Sequence, residues 1–159
     1  MQYEPIGKHL SIASRKHRSV LTTLLRKTGM DLGSGQFPLL IALYKQDGQN
    51  QQALCRAFDI DKGAVARGVE KLVRSGLLVK VTDPKDNRRS LLKLTPKARE
   101  LRPIFYSILE RVDAKMKADL TEEEVAAFFR IMGKIEHALQ QALQYTLQPA
   151  TQESDYGNE

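Results

Sequence analysis

The side chains best placed to do chemistry in this 159-residue chain are arginines and lysines rather than nucleophiles or metal ligands. Gly63, Arg67, Lys71 and Arg74 recur at intervals of four, four and three. At about 100° per residue this spacing puts them on one face of a helix, with Lys62 at its head and Ala64 at the edge of the face. The opposite face carries Val65, Val69, Leu72 and Val73, which a core would take up. A basic face with small residues at its head suits a polyanion that must come close. The planar guanidinium of Arg67 can donate two hydrogen bonds to guanine O6 and N7. Lys71 and Arg74 suit phosphates. Gly63 and Ala64 leave room for base edges, and the Ala64 methyl can meet that of thymine.

A merely solvated basic helix has the same pattern, so a second signal is needed, and the sequence holds one. Two β-prone runs, Leu77–Val81 and Ser90–Leu94, flank Asp83-Pro84-Lys85-Asp86-Asn87-Arg88-Arg89, which is polar and turn-forming. This predicts a hairpin with a basic tip. Beside a recognition helix such a tip can reach a minor groove, whose negative potential attracts arginine. Arg88 and Arg89 are the candidate contacts. An outward Asp86 would repel phosphate, so it is expected to act locally, holding an arginine in place.

Other chemistries find little support. His9, His17 and His137 show no metal-ligand spacing, and Cys55 stands alone, so neither a metal site nor a disulfide framework is expected. There is no phosphate-cradling glycine loop, no His-Glu-x-x-His and no nucleophile elbow, so an enzyme and a bound cofactor are not expected.

The elements needed to position the basic residues can be read from the apolar spacing. Ile6, Leu10, Ala13, Val20, Leu21 and Leu24 predict a long first helix over 6–28. A second starts around Ser34, with Pro38 in its first turn and Phe37, Leu40, Ile41 and Tyr44 as its apolar body. Asn50 caps a short third helix to about Ala57. After a tight turn at Phe58-Asp59-Ile60, Asp61 caps the basic helix, 62–75, which Gly76 stops. Thr95-Pro96 opens a fifth helix with Leu101, Ile104, Phe105, Ile108, Val112 and Met116 as its stripe, which Pro103 should kink or split. Thr121-Glu122-Glu123-Glu124 is a capping box for a sixth, carrying Val125, Phe128, Phe129, Met132, Ile135, Leu139 and Leu143.

The fold class is therefore mainly α with a small β-hairpin wing: a winged helix-turn-helix within six helices. The expected division is a DNA-binding lobe at 32–95, helical dimerisation segments at 1–31 and 96–147, and a disordered tail at 148–159. Three striped helices lie outside the small lobe, and a partner subunit is the simplest cover for them. The positive charge is concentrated in two stretches: residues 1–30 hold six Lys/Arg against one Glu and 62–102 hold twelve against four Asp/Glu, while 103–159 hold five against ten. A segregated basic stretch of this kind favours a partner rich in phosphates, because neutralising them releases counterions. No apolar run approaches the roughly 18 residues of a membrane span and no signal peptide is evident, so a cytoplasmic protein without membrane association is expected.

The run from Ala53 to Arg67, then Glu70 to Leu78, and above all Asp83-Pro84-Lys85-Asp86-Asn87-Arg88-Arg89 followed by Leu92-Lys93-Leu94-Thr95, resembles the MarR family of bacterial transcription regulators. Gln36-Phe37 also sits where that family often has it, and the resemblance spans about 6–147. It implies a homodimer held by the first and last two helices, with two recognition helices in successive major grooves of a pseudo-palindromic duplex. It places Asp86 and Arg88 at the wing tip and Gly63, Ala64 and Arg67 at base- or backbone-reading positions. It further implies a repressor released from DNA by a small aromatic acid or another lipophilic molecule. The chain departs from the family at Asp59, where glycine is usual in the turn, and at Gly63, where a small hydroxyl residue is common. Gly68 inside the recognition helix should cost roughly 1 kcal/mol against alanine.

His17 on the first helix, with Phe37 and Tyr106 on neighbouring ones, is a candidate effector pocket, His17 meeting an anionic group. A structural or interface role explains His17 as well, and a core role Phe37. Two alternatives to a ligand-responsive repressor stand beside it: a non-sensing architectural or activating DNA binder, and a redox sensor acting through Cys55.

Overall fold

The computed structural model describes residues 4–33, 35–58 and 61–147. Residues 1–3, Ser34, Asp59, Ile60 and 148–159 lie outside the described residues, and with them the expected turn at Phe58-Asp59-Ile60 and the expected disordered tail. The element order is α1 (Ile6–Arg26), α2 (Phe37–Lys45), α3 (Gln51–Phe58), α4 (Lys62–Arg74), β1 (Leu78–Asp83), β2 (Asp86–Leu94), α5 (Pro96–Lys117) and α6 (Glu122–Leu147). This is the six-helix, one-hairpin order of a winged helix. The chain separates into two compact units, one ending at Asp113 and one beginning at Ala114, so the boundary falls within α5.

The starts of α3, α4, α5 and α6 are set by local side-chain bonds. Asn50 Oδ1 accepts the Ala53 N–H at 2.9 Å, and Asp61 Oδ1 accepts the Ala64 N–H at 2.9 Å. Thr95 Oγ1 accepts from Ala98 N at 3.2 Å, and Thr121 and Glu124 exchange bonds as a reciprocal capping box. Gly76, at φ +72°, ends α4 in the left-handed conformation that a side chain would resist.

Two helices differ from expectation. α2 begins at Phe37 rather than around Ser34, with Gln36 at its N-cap position and Pro38 in the first turn. The Gln36 side chain is instead turned back to accept the Gly33 N–H. α5 runs through Pro103 without being split. Ala98 before the proline and Phe105 after it are both fully buried, and this packing on both sides keeps the helix continuous despite the missing N–H.

The core lies in the first unit. α2 supplies more of it than any other element: Phe37, Leu39, Leu40, Ala42, Leu43 and Tyr44 are all buried, so this short helix is enclosed on nearly every side. Leu21 and Leu25 of α1, Met30 and Leu32 after it, Leu54 of α3, Val65, Val69 and Leu72 of α4, Leu77 before the hairpin, Leu78, Leu92 and Leu94 of the hairpin, and Ala98, Phe105, Ile108 and Val112 of α5 complete it. At roughly 1.5–3 kcal/mol for each large apolar side chain enclosed, this cluster dominates the stability of the lobe.

The hairpin pairs Leu78 with Leu94 through to Thr82 with Ser90. The register then shifts, so that Asp83 faces Asp86. The strands thus extend further toward the tip than Val81 and Ser90. Asn87, Arg88 and Arg89 belong to β2 but have no counterpart on β1. They form a bulge that juts from the ladder. At the other end the wing is anchored to the segment after α2. Gly48 N donates to Leu92 O at 3.0 Å, and Leu92 N donates to Gln49 O at 2.8 Å.

Candidate nucleic-acid interface

α4 is strongly two-faced. Val65, Val69 and Leu72 are buried and Val73 is half-buried, while Lys62, Gly63, Arg67, Lys71 and Arg74 are exposed and Ala64 is half-buried. Gly68 belongs to the inner face. A Cβ there would lie 2.5 Å from Leu39 Cδ1 and 3.4 Å from the Gly35 carbonyl oxygen. The missing side chain therefore lets α4 sit close against α2, which is what the helix gains for its poor intrinsic propensity. On the outer face a Cβ at Gly63 would stand 3.2 Å from Arg67 Nη1 and 3.1 Å from Asp61 Oδ1. The Arg67 guanidinium thus lies back over the first turn, across the space that a side chain at residue 63 would take.

A groove runs beside this face, with Gly33, Gly35 and Gln36 on one wall and Ala64, Arg67, Gly68 and Lys71 on the other. A second depression joins Lys71 and Arg74 to Thr22, Arg26 and Asp31. Arg26 is a cation that the sequence pattern did not single out. It lies on the last turn of α1, far from α4 in sequence, and pairs with Asp31 at 3.4 Å. No periodicity within one helix can report such a neighbour.

The wing tip is organised by its two aspartates. Asp83 Oδ1 accepts the Lys85 N–H at 2.9 Å and Asp86 Oδ1 accepts the Arg88 N–H at 3.0 Å, so each carboxylate closes a turn two residues on. The other oxygen of Asp86 binds Arg89 Nε at 3.0 Å. Asp86 is thus a local acceptor that holds an arginine, Arg89, while the exposed Arg88 takes its backbone geometry from the same carboxylate. The root of Arg89 also faces α3: Arg89 and Ser90 share a depression with Asn50, Gln51 and Gln52.

The three residues proposed for an effector occupy different settings. Phe37 is in the core, 5% exposed. His17 is half-buried on α1. Tyr106 is half-buried on α5 in an aromatic cluster, 5.9 Å from the Tyr44 ring and 5.8 Å from that of Phe105. Arg102 completes this cluster, its guanidinium carbon 5.7 Å from the centroids of both Tyr44 and Tyr106. Tyr44 donates its hydroxyl to the Ala98 carbonyl at 2.7 Å. Burial, with Tyr106 adding to it and Arg102 opposing, pushes the Tyr44 phenol up to about 12. Arg102 and Tyr106 are one helical turn apart, which the sequence displays, but Tyr44 joins them only through the packing of α2 against α5.

Cys55 is half-buried and packed against the core. Among the described residues no group of three or more His, Cys, Asp or Glu could hold a metal ion. No described helix is long and apolar enough to cross a membrane.

Residues 28–89, which include α2, α3, α4 and most of the wing, match the profile of the MarR family. The HTH-type transcriptional regulator BilQ of Clostridium symbiosum is 33% identical over 111 residues, covering 70% of this chain and 76% of its own. A MarR transcriptional regulator from Methanosarcina mazei has the same fold at a TM-score of 0.71 and 31% identity, over 88% of this chain and 97% of that one. A mutant MarR from E. coli, solved with operator DNA, superposes at a TM-score of 0.74 over 82% of this chain and 93% of its own. At 23% identity it speaks for the fold alone. With a two-faced α4, a wing whose tip is built on Asp83 and Asp86, and relatives that regulate transcription, this chain belongs to the MarR family of DNA-binding transcription regulators.

Proposed function

We propose that the chain is a repressor that binds a pseudo-palindromic duplex as a homodimer in the cytoplasm and is released by a small aromatic or lipophilic ligand. The observation that carries the DNA reading is the exposed row Lys62, Gly63, Arg67, Lys71 and Arg74 on a helix whose other face is locked in the core. In this reading α4 enters a major groove, Arg67 reads a guanine, and Lys71 and Arg74 hold phosphates beside Arg26. Gly63 and Ala64 admit base edges, while Arg88 and Arg89, set by Asp86, reach the adjacent minor groove. Residues 32–95 form the DNA-binding lobe, and 1–31 with 96–147 form the dimerisation region. The operator bound in the E. coli MarR complex is the kind of site that this arrangement would take.

The dimer is supported by the apolar side chains that α6 leaves uncovered, Phe128, Phe129, Ile131 and Leu139 among them. The ligand reading is supported by the Arg102–Tyr44–Tyr106 cluster. A guanidinium set against two neighbouring rings offers its edge to a carboxylate and its neighbours to an aromatic body. Tyr106 keeps the role proposed for it. His17 stays an anion partner on α1, and Phe37 acts as a wall reached when the core side chains shift.

Selection of binding sites from a random duplex pool at near-physiological salt tests the DNA reading. The expected product is an inverted repeat with half-sites about one helical turn apart. Arg67→Ala should cost about 1–3 kcal/mol on the selected site and relax preference at one base of each half-site. A pool that returns no motif would make the protein a non-specific binder, and unchanged affinity would remove Arg67 from base reading. The selected duplex then serves as the probe for carboxylated aromatic ligands that release it.

A further inference from the structure

The carboxylate of Asp47 bonds to three parts of the lobe at once. Its Oδ1 accepts the N–H of its neighbour Gly48 at 2.9 Å and that of Leu94, the last residue of β2, at 2.9 Å. Its Oδ2 takes Arg99 Nη2, on the first turn of α5, at 2.5 Å. Asp47 follows the end of α2, so one side chain ties α2, the root of the wing and α5 together across spans of 47 and 52 residues. The same turn of α5 also holds the end of α4. Thr95 Oγ1 donates to Gly76 O at 2.7 Å and Lys97 Nζ to Ser75 O at 3.0 Å.

We propose that Asp47 and Arg99 form a latch through which the first turn of α5 fixes the pose of the wing, so that both are positioning residues for DNA binding. The inference rests on reading Arg88 and Arg89 as duplex contacts. It goes beyond that reading by assigning a role to two residues that touch no DNA. An isolated surface ion pair is worth little, because solvent screens it and two long side chains must be ordered. This pair differs in that the acid is only 27% exposed and its second oxygen is already committed to the β2 backbone. Pulling Arg99 away therefore acts on the strand end as well as on a charge.

The wing magnifies such a displacement. Its six-residue β1 is about 20 Å long at roughly 3.3 Å per residue, so a tilt of about 10° at the root moves the tip by about 3.5 Å, more than a hydrogen bond tolerates. Of the other root bonds, Thr95 N–H to Leu77 O joins the residues just outside the two strands, while Gly48 to Leu92 and Leu92 to Gln49 act on β2 at a single residue. Two anchor points, Leu92 and Leu94, fix an angle where one fixes only a position. Leu94 is the point that Asp47 holds, and Arg99 holds Asp47. A shift of α5 would pass to the wing by this route and to the recognition helix through Thr95 and Lys97.

The test uses the full-length protein with Arg99→Gln, Arg99→Lys and Asp47→Asn, on the duplex selected for the wild type. Arg99 is 58% exposed, so its replacement leaves the core untouched. Arg99→Gln and Asp47→Asn should each weaken binding roughly three- to tenfold, and Arg99→Lys should recover most of the loss. In an Arg88→Ala/Arg89→Ala background, Arg99→Gln should cost nothing further, because the contacts it positions are gone. Equal losses with and without the wing arginines, or no loss in either, would overturn the latch. Amide hydrogen exchange without DNA gives an independent reading. Arg99→Gln should speed exchange at Leu94 and along β1 and β2 while α1 stays at its wild-type rate. An unchanged wing would overturn the proposal even if the duplex reading holds. Failure of the wild type to bind any duplex, with faster wing exchange in Arg99→Gln, would remove the DNA role and leave the latch a purely mechanical device, overturning the proposal as stated.

Discussion

A methyl group added at Gly68 would come within 2.5 Å of Leu39 Cδ1, and Leu39 is itself fully enclosed. Helix propensity alone favours alanine there by roughly 1 kcal/mol, whereas overpacking a core contact costs about 1–3 kcal/mol. The second term wins. Gly68→Ala should lower stability by about 1–2 kcal/mol in urea unfolding, and a gain would show that α2 and α4 can separate freely. Tyr44 gives a pH-dependent case. Its phenol is pushed up to about 12 in the folded chain against an ordinary value of 10.0, so folding favours the neutral form. The stability from this effect is complete below about pH 10 and drains away as pH rises toward 12, because the unfolded chain ionises first. Thermal melts of the wild type should fall across that window, and Tyr44→Phe should flatten the part of the fall due to this residue. An identical slope in both proteins would mean that Tyr44 ionises as freely folded as unfolded.

At the scale of elements, what the sequence disclosed follows the range of the forces involved. The caps at Asn50, Asp61, Thr95 and Thr121 are bonds between residues three apart, so residue type and spacing reveal them. The two faces of α4 were equally legible, since a period of 3.6 sorts Val65, Val69 and Leu72 from Arg67, Lys71 and Arg74. The start of α2, the unbroken course of α5 through Pro103 and the bulge at Asn87–Arg89 were not. Each depends on a turn or a packing contact that the local pattern leaves undetermined. Arg26, Tyr44, Arg102 and the Asp47–Arg99 pair escaped for the same reason: each is brought together with residues of another element, Arg26 with Lys71 and Arg74, and Tyr44 with Arg102. The cap of α4 is open to direct test. Asp61→Ala removes the acceptor for the Ala64 N–H and should cost about 0.5–2 kcal/mol, whereas Asp61→Asn, which keeps an acceptor oxygen, should lose much less. Chemical denaturation of the pair separates capping from charge. Equal losses would assign the effect to charge at the helix N-terminus instead.

For the whole molecule the decisive quantity is the apolar surface left uncovered on α6. Phe128 and Phe129 stack edge to face with centroids 5.6 Å apart, yet are 54% and 61% exposed, and Leu139 is 61% exposed. Large apolar side chains standing singly on a surface need no explanation, but a run of them along one helix marks an interface. If that interface joins two copies of the chain, each buried phenylalanine contributes roughly 1.5–3 kcal/mol, and a charge placed there subtracts more than it removes. Phe129→Lys should then shift the protein from dimer to monomer in sedimentation at micromolar concentration while its circular dichroism stays helical. The consequence for DNA follows from linkage. Two lobes joined in one particle bind the second half-site at high effective concentration, and separated lobes do not. The variant should therefore lose affinity for an inverted repeat by at least about tenfold but keep that for a single half-site, and its salt dependence should fall as fewer phosphates are neutralised per particle. A Phe129→Lys protein that stayed dimeric and bound the repeat as before would assign the α6 surface to another partner and leave the two lobes to be joined through other segments.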